Sequence, residues 1–514
     1  MRDGRPASVD LTPQLSPQAN SRARASAVAA SAQLDRALVR GLAWVGTLRW
    51  TAQLASSAAT IVVARLLTPE DYGLVAMSSV YMGVVALLSE FGVGTSVIVL
   101  RELTREQIAQ VSGFSLLLGF LGFLLSLGMA PLLGEFFRAP QLPAVVVVAS
   151  VGFIITALRV VPQSLLRKEL RFKALAVIDG ARIVIQAGLM VVLALLGLGY
   201  WTLVLGTLLS SVCATGMVLA VRRHPLAWPR LAAIRRAMSV GMDVLGSRLA
   251  WYGYSNADFV IAGRVLGQGP LGGYTLAWQV ASAPVAKVSN LVMQVTPSIF
   301  SAVQTDRAAI RRYLLRLTEG LALVTFPAAV GLAVVADDFV RVVLTEKYEA
   351  AILPLRILAV YTAVRAITPL YAPLLTALDR TRDVLRNNVL ALMLLPLAFW
   401  IGSRWGTAGI AAAWIVVHPV IVLQILVCVF RAAELKPSDY FRSLTPALSS
   451  SAIMVIAVLA LRYALPADVS PAVRFFTEVP AGAAAYALVL FGLHRERLVA
   501  FRSTLRLARS VEPA

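Results

Sequence analysis

The sequence predicts an all-α polytopic membrane protein of about 14 transmembrane helices, arranged as two pseudo-symmetric six-helix lobes plus two C-terminal helices. Three observations predict this fold class: the composition, the spacing of the apolar runs and the charge of the loops between them. Hydrophobic residues make up 58% of the 514 residues, charged residues only 14%, and the mean hydropathy is +0.77. Soluble domains carry roughly 25% charged residues. A soluble protein of this composition could not cover its surface, so most of the chain is predicted to lie in a bilayer.

The apolar runs have the length that a membrane requires. A bilayer core of ~30 Å takes about 20 residues of helix. Runs of this kind lie at about 40–65, 72–99, 108–132, 142–160, 175–196, 200–221, 240–265, 272–299, 313–335, 353–377, 385–402, 406–430, 445–463 and 476–492. Glycine-containing turns, GLGY (197–200) and GSRWG (402–406), divide the two longest apolar stretches.

The loops between these runs alternate in charge. The loops after the even-numbered runs, taken with the C-terminal tail, hold 26 lysines and arginines, whereas the opposite loops hold five. Cytoplasmic loops of membrane proteins carry this excess. The alternation therefore predicts a multi-pass membrane protein with both termini in the cytoplasm. It also accounts for the net charge of +20 without a nucleic-acid partner.

The same pattern divides the chain into five regions. We expect a disordered cytoplasmic tail at 1–38, an N-lobe of helices 1–6 at 39–222 and a C-lobe of helices 7–12 at 223–432. Helices 13 and 14 follow at 433–494, and a basic cytoplasmic tail at 495–514. The first 38 residues are rich in Ala, Ser, Pro and Arg and contain no sustained apolar run, which is typical of disorder.

Motifs for metals, cofactors and nucleotide hydrolysis are missing from the sequence. The two cysteines and three histidines show no metal-ligand spacing, and no phosphate-binding loop of the GxxxxGK[ST] type occurs. We therefore predict no metal, no cofactor and no enzymatic activity. Asp337 and Asp338, in the longest of the weakly charged loops, are predicted to form a solvated turn.

An internal repeat relates the two halves of the chain. A shift of 199 residues carries Arg49 onto Arg248 and Arg65-Leu66-Leu67 onto Arg264-Val265-Leu266. The same shift carries Gly73 onto Gly272. Internal repeats of this kind are common in transporters, so the repeat favours two lobes of similar structure.

Two stretches resemble a known family. ARLLTPEDYGLVAMSSVYMGVVALLSEFGVGTSVI (64–98) is similar to the N-terminal signature of prokaryotic polysaccharide flippases of the Wzx type, and PQSLLRKELRFKALAVID (162–179) resembles the loop before their fifth helix. These flippases belong to the multidrug/oligosaccharidyl-lipid/polysaccharide exporter superfamily. The resemblance implies a multi-pass protein of the bacterial inner (plasma) membrane, with a central cavity reached by alternating access. It also implies a cargo of undecaprenyl-pyrophosphate-linked oligosaccharide, used for exopolysaccharide, O-antigen or capsule biosynthesis, with a polysaccharide polymerase and a chain-length regulator as further partners.

Polar side chains on one face of the first span suggest where the cargo binds. Arg49, Gln53, Ser56 or Ser57, and Thr60 share a helix face. Arg248, Tyr252, Ser255, Asn256 and Phe259 take the same spacing in the repeat partner. An arginine at the bilayer centre costs roughly 2.5–3.5 kcal/mol. Such faces are expected to line a wet cavity or a helix interface, although Arg49 at the cytoplasmic edge would instead extend to the headgroups.

Charged residues in the other spans suggest cargo binding and ion coupling. Lys287 lies inside the eighth span with Asn290 on the same face, and cations there suit a pyrophosphate. The substrate-binding candidates are Arg49, Gln53, Arg248, Tyr252, Asn256, Lys287 and Asn290. Glu90 and Asp258 are the candidates for binding a coupling proton or sodium ion. Asp179 and Arg182 are predicted to pair at i, i+3.

Three alternatives to the flippase stay open at this stage. A drug exporter of the same superfamily would share the two-lobe plan, but its cationic compounds suit a cationic cavity poorly. A lipid II flippase of peptidoglycan synthesis would share the fold and the charge of the cargo. A membrane-embedded glycosyltransferase or polysaccharide ligase would need a catalytic residue in a large periplasmic loop, and the longest such loop here has only about 17 residues.

Overall fold

The computed structural model is helical throughout the part of the chain that it describes. That part comprises residues 52–53, 55–90, 93–94, 97, 104–223, 225–230, 246, 248–466 and 468–494, without the side chains of 290, 291, 294 and 295. The main helices are α1 (Ala55–Leu66), α2 (Pro69–Glu90), α3 (Arg105–Phe137), α4 (Leu142–Lys168), α5 (Phe172–Leu195), α6 (Trp201–Val221), α7 (Ala257–Leu266), α8 (Gln268–Ala302), α9 (Arg307–Val334), α10 (Ile352–Ile367), α11 (Thr381–Gly402), α12 (Gly406–Ala433), α13 (Pro437–Ala464) and α14 (Pro471–Leu493).

Short helical pieces continue or join the main helices. A segment at 248–255 leads through Asn256 into α7. Between α9 and α10 lie Ala336–Phe339, a π-helical turn at Val340–Leu344 and a 3-10 helix at Glu346–Ala351. After α10 come the short helices Thr368–Leu370 and Tyr371–Ala377, and Ser403–Trp405 joins α11 to α12.

Long apolar helices confirm the prediction of an all-helical, polytopic membrane protein. Within the described residues, 10 helical stretches are long and apolar enough to cross a membrane. One of them, Thr381–Ala433, contains both α11 and α12. The count of 14 spans, the orientation of the termini and the domain boundaries stay predictions.

The turns predicted from glycine lie where the helices end. The turn at 197–200 separates α5 from α6, with Gly197 at φ 75° and Gly199 at φ 53°. Gly406 begins α12 at φ 68°. These left-handed conformations are open to glycine without the steric cost that a Cβ brings, which is why the chain reverses here inside otherwise continuous apolar sequence.

The helices of each half pack mainly with one another, and the halves meet along α2 and α8. In the first half α3 packs on α4, and α5 packs on α6; in the second half α11 packs on α12, and α9 packs on α10 and α13. A buried apolar cluster continues across the meeting line, including Leu74 of α2 and Leu271 of α8. Because α2 begins at Pro69 and α8 at Gln268, the paired helices start one repeat shift apart.

The basic stretch after α4 forms a tight turn. The chain reverses within residues 169–171, where Leu170 has φ 56°, between the end of α4 and the start of α5. The stretch 165–179 is therefore the end of α4, a turn and the start of α5.

Candidate functional site

A cavity of about 790 Å³ lies between α1, α8, α9, α13 and α14. Most of its polar lining comes from the start of the described chain and from α8: Gln53, Ser56, Ser57, Thr60, Gln279 and Lys287. Glu478 and Tyr486 of α14 add two further polar side chains. The rest of the lining from α9, α13 and α14 is apolar, with side chains such as Val324, Leu332, Met454 and Val458. The arrangement suits a ligand with a polar group at one end and an apolar body at the other.

The polar side of this cavity follows from helical spacing. Gln53, Ser56 or Ser57, and Thr60 are three to four residues apart along the chain, so they share one face of the first helix. Thr60 donates its hydroxyl to the carbonyl oxygen of Ser56 at 2.9 Å, while Gln53 is half-buried and Lys287 is exposed to the cavity. The structure therefore brings together two of the predicted binding residues, Gln53 and Lys287.

The residues of the second half that the repeat matches to this face do not line the cavity. The hydroxyl of Tyr252 donates to the backbone carbonyls of Ser79 and Val80 in α2, each at 3.2 Å. A methyl group on Gly83 would lie 1.8 Å from the Tyr252 hydroxyl oxygen, so the missing side chain at Gly83 admits the tyrosine ring. Tyr252 thus joins the two halves and does not line the cavity.

The remaining predicted binding residues have different placements. Asn256 lies at the break before α7 and donates its amide to the carbonyl of Tyr252 at 2.9 Å. Arg248 is exposed and lies outside the cavity lining. Asn290 follows Lys287 in α8, but its side chain lies outside the described part, as does the whole of Arg49.

The two ion-coupling candidates differ sharply in environment. Asp258 is completely buried and accepts three hydrogen bonds: from the Tyr274 hydroxyl at 2.8 Å, the Trp414 indole at 3.0 Å and the backbone N–H of Phe259 at 3.0 Å. Glu90 lies at the end of α2 and is exposed. A fully enclosed carboxylate with oriented donors is the stronger candidate for holding a cation or a proton.

A set of hydrogen bonds, called here the seam, joins the two halves on the side that the loop charges predict to be periplasmic. Lys347 donates to the carbonyl oxygens of Arg65 at 2.7 Å and Leu67 at 2.5 Å, and the Tyr348 hydroxyl donates to Leu67 at 3.0 Å. Arg65 in turn donates to the carbonyls of Val342 and Val343 at 2.5 and 3.1 Å. The end of α1 is thereby fixed to the segment between α9 and α10.

A buried group of charges lies beside this seam, and it overturns the prediction of a solvated turn. Asp338 is only 3% exposed and accepts a hydrogen bond from Arg462 at 2.9 Å. Arg462 also forms a two-point contact with Glu478, at 2.8 and 2.6 Å. Burial raises the pKa of Asp338, and Glu478 adds to the rise, while Arg462 and Arg474 oppose it. Asp337 pairs with Arg356.

Sequence reasoning missed this group because its members are far apart along the chain. Arg462 and Glu478 lie near the ends of two consecutive apolar runs, where charged side chains usually mark the membrane surface. Glu478 is completely buried and also contributes to the cavity lining. The sequence did contain one signal for this group: Arg462 and Glu478, of opposite charge, lie on either side of the short loop between α13 and α14.

Comparison with known proteins identifies the family of the chain. The profile of the family described as polysaccharide biosynthesis protein matches residues 62–353, more than half of the chain. The chain belongs to this family.

Curated relatives carry related names. The chain is 26% identical over 398 residues to the lipopolysaccharide biosynthesis protein WzxC of Escherichia coli (strain K12), covering 76% of this chain and 77% of that protein. It is 27% identical over 413 residues to the teichuronic acid biosynthesis protein TuaB of Bacillus subtilis (strain 168), covering 79% and 85%.

Solved structures share the fold. A structure of the lipid II flippase MurJ in an inward closed conformation superimposes with a TM-score of 0.73 at 13% identity, covering 88% of this chain and 99% of that one. An inward-facing multidrug resistance transporter of the MATE family gives a TM-score of 0.57 at 20% identity, covering 77% and 95%. This chain therefore has the helical fold shared by MurJ and MATE transporters.

Proposed function

We propose that this protein moves an undecaprenyl-pyrophosphate-linked oligosaccharide from the cytoplasmic to the periplasmic leaflet of the inner membrane by alternating access. The cavity between α1, α8 and the C-terminal pair supports this function best, because its polar and apolar sides match the two ends of such a cargo. The names of the relatives, in lipopolysaccharide and teichuronic acid biosynthesis, favour a surface or secreted glycan pathway.

Lys287 and the polar face of α1 are the proposed contacts for the pyrophosphate. Lys287 is a cation in the cavity, and Gln53 supplies an amide on the facing side; a charged donor binds a phosphate oxygen more strongly than a neutral one. Arg49, four residues before Gln53 in the sequence, and Asn290, three residues after Lys287, are proposed as further contacts. Exposed Arg248 is the proposed contact on the cytoplasmic approach.

The apolar wall is the proposed location of the prenyl chain. Side chains from α9, α13 and α14 form this wall, among them Val324, Val458 and Val479. The bilayer core is as apolar as this wall, so the wall lets the prenyl chain pass between lipid and cavity without contact with water. Tyr252, which bonds to α2, and Asn256, which bonds to the carbonyl of Tyr252, become proposed parts of the moving contact between the lobes.

The seam at Lys347 is proposed as the closed periplasmic gate. Alternating access needs contacts between the lobes that form in one state and break in the other. Hydrogen bonds from Lys347 and Tyr348 to the end of α1 have this character, because they join the two halves by polar contacts. A proton or sodium gradient acting at Asp258, with Glu90 as the second candidate, is the proposed driving force.

Deletion of the gene, followed by rescue with variants, tests the function. We expect deletion to remove the surface glycan and to cause prenyl-linked oligosaccharide to accumulate in the inner leaflet. Lys287→Glu should fail to rescue at normal protein abundance, whereas Lys436→Glu should rescue, because Lys436 is exposed outside the helices that line the cavity. The readouts are glycan immunoblotting and mass spectrometry of extracted prenyl lipids.

Three results would contradict the proposal. An unchanged surface glycan with altered drug sensitivity would indicate a drug exporter. Loss of viability with accumulation of peptidoglycan precursor would indicate a lipid II flippase. Full rescue by Lys287→Glu would show that Lys287 does not bind the cargo, even if the deletion removes the glycan.

A further inference from the structure

A second group of cations lies within the first lobe, away from the cavity described above. Arg159 belongs to α4, and Arg182 belongs to α5; both helices are long and apolar enough to cross the membrane. Neither arginine lines the cavity at Lys287. Arginines inside membrane spans are rare and mark sites that handle polar cargo, so this pair needs a chemical explanation of its own.

The two arginines lie at the same depth. Arg159 precedes the end of α4 at Lys168 by nine residues, and Arg182 follows the start of α5 at Phe172 by ten. At 1.5 Å of rise per residue both are about 13–15 Å from the turn that joins the helices. The charges of Arg182 and Asp179, on α5, act on Arg159 of α4 across this helix pair, and Arg167 of α4 acts along the same helix.

The arginines are incompletely satisfied within the protein. The Nε atom of Arg159 is buried without a hydrogen-bond partner. Arg182 donates to Gln186 at 3.4 Å, a long bond, and the predicted pairing of Asp179 with Arg182 is wrong: among the described residues, no ion pair within 4.0 Å joins them. One carboxylate near two deeply placed guanidinium groups leaves an excess of positive charge and of unused donors.

We propose that Arg159 and Arg182 form a second oxyanion site that binds an anionic group of the lipid-linked cargo, an inference that rests on the proposed function. Guanidinium groups bind phosphate and carboxylate oxygens through two parallel hydrogen bonds. The buried Nε of Arg159 is one donor of such a fork. Gln186, which donates to the Thr207 hydroxyl at 3.4 Å, extends the polar surface toward α6 for sugar hydroxyl groups.

The turn below the site favours entry from the cytoplasm. Arg167, Lys168, Arg171 and Lys173 surround the junction of α4 and α5. Glu169 lies among them and pairs with Arg222 at 2.9 Å, so the net charge of the turn is positive. Net positive charge attracts an anion and raises its local concentration at the opening. The shared chemistry of the ligand is an oxyanion: either the pyrophosphate of the cargo or the carboxylate of an acidic sugar.

Binding of two simple probes to the purified full-length protein tests the site. Inorganic pyrophosphate represents the phosphate source and glucuronate the carboxylate source, each titrated calorimetrically at constant ionic strength. Arg159→Gln and Arg182→Gln should each weaken binding of at least one probe about tenfold, as loss of a charged hydrogen bond implies. Arg159→Lys should retain more affinity than the glutamine variant, which separates charge from folding. Arg404→Gln, in the loop between α11 and α12, should bind both probes as the unchanged protein does.

The outcomes separate this site from the proposed function. Unchanged affinity for both probes in both glutamine variants, or no saturable binding by the unchanged protein, overturns the site. If only Lys287→Gln weakens binding while the gene deletion still removes the glycan, the flippase proposal stands and the second site falls. If the deletion leaves the glycan intact but Arg159→Gln weakens pyrophosphate binding, the site stands as an anion site and its link to this cargo fails.

Discussion

Gly73 of α2 and Gly272 of α8 lie against each other where the two halves of the protein meet. A methyl group on Gly272 would lie 1.7 Å from the carbonyl oxygen of Pro69 and 3.0 Å from the backbone nitrogen of Gly73. A methyl group on Gly73 would lie 1.9 Å from the carbonyl oxygen of Gln268. The two glycines are related by the repeat shift of 199 residues. The first turn of α2 therefore packs on the first turn of α8 through a glycine at the same position in each helix.

Replacing either glycine by alanine should prevent this approach. The obstructing atoms are backbone atoms, which cannot rotate aside, so α2 and α8 must separate. We expect Gly73→Ala and Gly272→Ala each to destabilise the closed seam by about 1–3 kcal/mol, the usual cost of overpacking. The check is thiol labelling of a cysteine introduced at Leu67, which is only 2% exposed in the closed seam, and labelling should become faster in both variants.

The matched control is Gly188→Ala in α5. A methyl group there meets no atom within 4 Å, and alanine favours a helix over glycine by up to about 1 kcal/mol. This variant should label at the unchanged rate and be at least as stable. Labelling and export at the unchanged level in both Gly73→Ala and Gly272→Ala would show that the close approach has no part in closing the seam.

Lys347→Met should weaken the same seam from the second half. It removes two charged hydrogen bonds to the end of α1, and because the side chain is exposed the expected loss is only about 1 kcal/mol. Tyr348→Phe, which removes the hydrogen bond to Leu67, should add to the effect. Periplasmic thiol accessibility measures both variants, and equal accessibility in the double variant would contradict the gate.

The fold was predictable where local chemistry decides it. Gly197 and Gly406 interrupt long apolar runs at conformations with positive φ, and the sequence alone shows these glycines. The match between Gly73 and Gly272 was also visible as a repeat. The contact between the two glycines could not be predicted, because a repeat relates positions along the sequence and does not give the distance between them in the folded protein.

The site was predictable in part for a similar reason. Gln53 and Lys287 interrupt apolar helices, and both line the cavity. Tyr252 has the same helical spacing but bonds to α2, because spacing defines a face and not the neighbour that covers it. Asp338 was misassigned as solvated since its partner, Arg462, is 124 residues away and no local pattern joins them.

Arg462→Met should be strongly destabilising. It leaves Glu478, which is completely buried, and Asp338 without their shared cation; removal of one partner of a buried ion pair typically costs 3–5 kcal/mol. Adding Glu478→Gln should recover part of the loss by removing one uncompensated charge. Arg442→Met, at an exposed arginine of the same helix, serves as control. Thermal unfolding in detergent measures all three, and equal midpoints for Arg462→Met and the control would exclude a stabilising role for this group.

Asp258→Asn should uncouple transport from an ion gradient. The carboxylate accepts from Tyr274 and Trp414 through one oxygen and from the backbone N–H of Phe259 through the other. An asparagine amide keeps one acceptor oxygen, but its NH₂ group faces a hydrogen-bond donor where the second carboxylate oxygen accepted one. The amide also carries no charge to bind a cation. Some loss of stability, about 1–3 kcal/mol, is therefore expected beside the functional effect.

Tyr274→Phe separates the two effects at Asp258. It removes one donor and leaves the carboxylate in place, so its stability should fall while its response to a gradient persists. The measurement is flipping of a fluorescent prenyl-pyrophosphate lipid in proteoliposomes, with a proton or a sodium gradient imposed in turn. If Asp258→Asn accelerates under a gradient as much as Tyr274→Phe does, Asp258 has a structural role only. If it responds to neither gradient while Tyr274→Phe responds to one, that gradient identifies the coupling ion.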